Sequence, residues 1–72
     1  MTIYTIKNDG EILGYFPGAD ESEALDNFAL WVGGFGSFEQ AMKETGEDPS
    51  KVTVSLAPEG AKAYTDENGA EL

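Results

Sequence analysis

The sequence predicts an α+β domain: a small antiparallel sheet carrying two helices on one face, in the order β-β-α-α-β, with a fourth edge strand left open. Three observations lead there. Asn8-Asp9-Gly10-Glu11 separates two β-rich runs, and Asp-Gly between apolar runs is a strong hairpin signal. Two later stretches each open on a capping-box pattern and close on glycine, which marks a helix at both ends. Val52-Thr53-Val54-Ser55-Leu56 then alternates apolar and polar, the signature of a strand with one buried face.

In order along the chain, Thr2 to Lys7 reads as the first strand and Ile12 to Phe16 as the second, stopped by Pro17-Gly18. Asp20 and Glu23 form the first helix start, with Glu21 and Glu23 favourably placed in its first turn. Ala24, Leu25, Phe28, Trp31 and Val32 make its apolar face, and Leu30 falls opposite them. Gly33-Gly34 ends it. Ser37 and Gln40 are the second capping box, opening a short helix with Phe38, Ala41 and Met42 on one face and Gly46 as its stop. Beyond Pro58 the composition shifts to alanine, glycine and acids. Residues 1–72 therefore read as one domain. Within it, 58–72 is either a flexible tail or an edge strand over Ala61–Tyr64 turning at Asp66-Glu67-Asn68-Gly69.

Composition removes whole classes of chemistry. The chain has 72 residues, room for one modest core, and neither cysteine nor histidine. Disulfides, thiolate chemistry and the commonest general base are thereby excluded. Ser37, Ser50 and Ser55 have no histidine to activate them. Gly33-Gly34-Phe35-Gly36 precedes a helix, yet no Gly-Lys-Ser/Thr follows, and Glu39 stands where the dinucleotide fingerprint needs its last glycine. Neither Asp66-Glu67-Asn68-Gly69 nor Asn8-Asp9-Gly10-Glu11 has the alternation of an EF-hand loop. Trp31, Phe28, Phe16 and Tyr15 lack the interleaved basic residues of a nucleic-acid stacking platform and are expected in the core. The prediction is no catalytic residue, no cofactor, no metal and no enzyme. The first residues lack the pattern of a signal peptide and no apolar run reaches membrane-spanning length, so the expected location is the cytoplasm, with no membrane partner.

Charge is the dominant feature. Fourteen Asp and Glu face four Lys and no Arg, a formal net charge of −10 shared equally by the two halves of the chain. Such a body repels nucleic acid and attracts basic protein surfaces. Glu23 and Asp26 lie three apart on the outward side of the first helix. Glu39 and Glu44 are expected outward on the second, and Glu47-Asp48 continue past its end. Regularly spaced carboxylates on a rigid body can stand in for phosphates. Leu30, beside Glu23, Asp26 and Asn27, would be the apolar centre of an acidic contact patch. The alternatives are acidity for solubility or high salt, and a small antitoxin-like or phage accessory module whose contact is the apolar patch around Leu30.

The run Asp9-Gly10-Glu11-Ile12-Leu13-Gly14-Tyr15-Phe16-Pro17-Gly18 leads into Asp20-Glu21-Ser22-Glu23-Ala24-Leu25-Asp26. It resembles a hairpin-to-helix module of short phage and mobile-element proteins. Gly33-Gly34-Phe35-Gly36-Ser37-Phe38-Glu39-Gln40-Ala41 resembles the link to a second helix in such proteins. With its size and charge, the chain is similar over residues 3–56 to the small acidic anti-CRISPR proteins that inhibit type I systems. That resemblance implies a phage-encoded inhibitor acting in the bacterial host's cytoplasm. Its partner would be the basic, DNA-binding surface of an RNA-guided surveillance complex.

Overall fold

Asp9 and Gly10 both take positive φ, 52° and 84°, and so form the tight turn whose twist matches that of the strands it joins. The computed structural model describes residues 2–72. The turn connects β1 (Thr2–Asn8) to β2 (Glu11–Gly18), paired antiparallel from Thr2 opposite Gly18 to Asn8 opposite Glu11. The register jumps between Ile6–Gly14 and Lys7–Ile12, which leaves Leu13 as the extra residue of a bulge. β3 (Val52–Leu56) pairs antiparallel with the other side of β1, giving a three-stranded sheet of order β2-β1-β3. The α+β architecture and its β-β-α-α-β order are those the sequence predicts.

β2 runs two residues past its expected stop, through Pro17 and Gly18. Position explains this. β2 is an edge strand, and Tyr15, two residues before Pro17, directs its N–H and C=O away from β1, to Thr65 and Tyr64. Pro17 shares that orientation, so its missing N–H costs the ladder nothing. The Pro17 carbonyl accepts a hydrogen bond from Asn27 Nδ2 at 2.7 Å.

α1 (Glu21–Gly33) is capped as the sequence predicts. Asp20 accepts from the Glu23 N–H at 2.8 Å, and the Glu23 carboxylate accepts from the Ala19 N–H at 3.0 Å. At the other end Gly34 has φ 72°, its N–H reaches the Leu30 carbonyl and the Phe35 N–H reaches Ala29. In α2 (Phe38–Thr45) Ser37 accepts from the Gln40 N–H and the Gln40 side chain from the Gly36 N–H, with Gly46 at φ 74° as the stop.

α1 lies over β2 and β1, and α2 packs chiefly against α1. Phe16 and Ile6 are the fully buried large side chains. Phe28 meets the Phe16 ring edge-on at 5.3 Å, and Tyr64 meets it edge-on at 5.7 Å. α1 buries two flanks, Ala24 toward the sheet and Ala29 toward α2. The expected apolar face is therefore corrected at its C-terminal end. Trp31 is 51% exposed and Val32 62%, because the last turn of α1 carries no sheet or helix over them. Leu56, at the far end of β3, is 71% exposed for a similar reason: the helix cover thins toward that edge.

After β3 the chain crosses the sheet face opposite the helices, past Tyr15, and reaches the outer edge of β2. There the Tyr15 N–H donates to the Thr65 carbonyl at 2.9 Å and the Tyr64 N–H to the Tyr15 carbonyl at 2.7 Å. The pairing consists of isolated bridges, Tyr15–Thr65 and Thr65–Glu71, because Tyr64 takes a left-handed φ of 60° and breaks the extended run. Asp66 closes the turn that follows, its carboxylate accepting from the N–H groups of Asn68 and Ala70. The returning Leu72 donates to the Tyr64 carbonyl.

Candidate partner-binding surface

α1, α2 and the turn after α2 carry the predicted acids, but they do not form one face. Glu23 is exposed, and one of its oxygens is already engaged as the cap of α1. Asp26 departs from expectation. It is half-buried between the helices, where its carboxylate accepts the Phe38 N–H at 2.9 Å and so ties the start of α2 to α1. The reason is the crossing of α2 over the side of α1 that the sequence reading had left to solvent.

Glu39 and Glu44 are both exposed, yet five residues of helix turn them about 140° apart around the axis. Glu39 shares a cleft with Ser22 and Asp26 on one side, and a groove with Glu47 and Lys43 on the other. Asp48 is exposed and caps a single 3-10 turn, Pro49–Lys51. Its carboxylate accepts from the Ser50 hydroxyl at 2.7 Å and the Ser50 N–H at 2.9 Å, bonds that hold it below the usual carboxylate range. Among the described residues no group of acids is arranged to hold a metal ion.

Leu30 is 59% exposed, on the stripe that includes Glu23 and Asp26. The structure exposes three further apolar side chains that the sequence reading did not assign to a surface. Trp31, Val32 and the 43%-exposed Leu72 gather at the C-terminal end of α1, on a different side of the helix from Leu30. Trp31 is fixed there: its indole lies 4.4 Å from the Tyr64 ring at an interplanar angle of 32°, and its Nε1–H donates to the Leu72 oxygen at 3.2 Å. A shallow groove is lined by Trp31, Val32 and Leu72. Val32 also lines a half-open apolar cavity of about 180 Å³ between α1, α2 and the hairpin, with Leu13, Phe35 and Met42 on its walls. The signal for this surface was present in the sequence. Ala29-Leu30-Trp31-Val32 are four consecutive apolar residues, and such a run wraps around a helix that can bury only part of its circumference.

α1 carries no basic residue in its last turn, so the partial negative charge of its C-terminal end is uncompensated from within the helix. No helix among the described residues is long and apolar enough to cross a membrane. No protein-family model, curated protein or solved structure matches the chain.

Proposed function

We propose that this protein is a non-enzymatic inhibitor that presents its acidic surface to the nucleic-acid-binding face of a basic partner and excludes the nucleic acid. One observation carries the reading: on a body of net charge −10, Glu23, Glu39 and Glu44 reach the surface from capped helices, and Glu47 and Asp48 are exposed in the turn that follows α2. Each carboxylate offered to a lysine- or arginine-lined groove replaces a phosphate contact, and the attraction is steep in salt for the same reason that nucleic-acid binding is. Asp26 supports this surface from beneath by fixing how the helices meet.

The resemblance of residues 3–56 to small acidic anti-CRISPR proteins directs the first test to a type I surveillance complex. Purified complex is incubated with labelled target DNA and increasing amounts of the protein, at two salt concentrations. The expected outcome is displacement of the DNA, weaker at high salt. The triple variant Glu39→Lys, Glu44→Lys, Glu47→Lys should lose it at least about tenfold, because desolvated charge pairs at such interfaces are each worth more than about 1.4 kcal/mol. Undiminished displacement by a variant with native circular dichroism would rule charge mimicry out.

A further inference from the structure

We infer that the apolar end of α1, formed by Trp31 and Val32 with Leu72, is the anchor of the interface, and that it docks a partner segment whose apolar face is bordered by Lys or Arg. The inference rests on the reading above in one respect, that the partner is a basic protein. It adds a second contact of different physics, located away from the α2 acids.

Three large apolar side chains exposed around one groove at a helix end are more than the scattered surface leucine that any small protein shows. Their arrangement suits an anchor. Trp31 is already held by its stack on Tyr64 and its bond to Leu72, so little freedom is lost when a partner covers the other ring face. Tryptophan is among the side chains most enriched at interface hot spots, and a well-packed apolar surround excludes water from it. Val32 joins this surface to the recess lined by Leu13, Phe35 and Met42, so an incoming apolar side chain has somewhere to go.

Charge selects the occupant. A second copy of the chain would bring two bodies of −10 together around a helix end that carries no basic residue in its last turn. Glu71 is exposed next to Leu72, and none of the four lysines lines the groove. A partner with positive charge around its apolar face relieves that repulsion; another copy of this chain adds to it.

Trp31 is the single tryptophan, so its emission reports on this surface directly. The test titrates the whole protein with a tryptophan-free helical peptide of leucine and lysine, leucines on one face, and with a charge-matched peptide in which serine replaces leucine. Expected is a saturable blue shift of Trp31 with the first peptide that persists in about 0.5 M salt, where charge alone is screened within a few ångströms. The variant Val32→Ser, Leu72→Ser should bind it at least about tenfold more weakly, while Leu56→Ser, equally apolar but on β3, binds unchanged. Equal binding of the serine peptide, or unchanged binding by the double variant, overturns the inference. A blue shift that grows with protein concentration in the absence of peptide overturns it in favour of self-association. The two readings fail separately in the DNA-displacement assay: loss on charge reversal but not in Val32→Ser, Leu72→Ser removes the anchor alone, and the converse removes the mimicry alone.

Discussion

A methyl group at position 18 would sit 2.6 Å from the Ala24 nitrogen and 2.8 Å from the Asp20 carbonyl. Both are backbone atoms that cannot move aside, so Gly18 is what lets the first turn of α1 press against the end of β2. Gly18→Ala is expected to destabilise the fold by about 1–3 kcal/mol, the range for overpacking, read as a lower urea midpoint. Gly18 looked in the sequence only like a strand stop after Pro17, since a close approach between distant segments leaves no local signature. Asp26 teaches the same lesson for the candidate site. Its place on the stripe with Glu23 was legible from helical spacing, but its role was decided by the Phe38 N–H arriving from another helix. That Leu30 is exposed was legible, because a helical wheel suffices to place it opposite Leu25 and Phe28.

At the scale of elements, most boundaries were legible because their signals are local. The Asp-Gly turn, the two capping boxes and the glycine stops each specify backbone geometry within a few residues. What the C-terminal segment does is different in kind. It occupies the outward N–H and C=O of Tyr15 and so shields the edge of β2 from pairing with other chains. Gly14 makes room for it: a methyl there would lie 2.7 Å from Leu72 Cδ1 and 3.1 Å from the Thr65 carbonyl oxygen. Gly14→Ala should therefore lift the segment from the edge. Faster amide exchange at Tyr15, with a red shift of Trp31 emission as its contact to Leu72 loosens, is the expected result; protection equal to the parent would show that the segment does not depend on that close approach.

For the whole molecule, a net charge of −10 on 72 residues opposes compaction, since folding concentrates like charge. Sodium chloride should raise the thermal midpoint by screening that repulsion, and about 1 kcal/mol relieved corresponds to roughly 4–8 °C for a domain of this size. A midpoint that is flat or falls with salt would mean that the acids are compensated locally. Under the proposed function the same field, extending about 10 Å at moderate salt, would draw in a basic partner before any apolar contact forms. Charge would set the rate of encounter and the apolar end of α1 the lifetime of the complex.

The order of elements, their ends, the absence of thiol and imidazole side chains and the net charge of −10 all follow from the chain read residue by residue, because each depends on composition or on neighbours a few positions away. The tertiary structure alone decided that Trp31 is a surface residue, that Asp26 is an internal cap, and that Leu72 completes an apolar end begun forty-one residues earlier. Helical periodicity shows which side of α1 is apolar, but whether a given turn is covered depends on where the sheet stops and where a distant segment returns. Those are contacts between parts of the chain that share no local pattern.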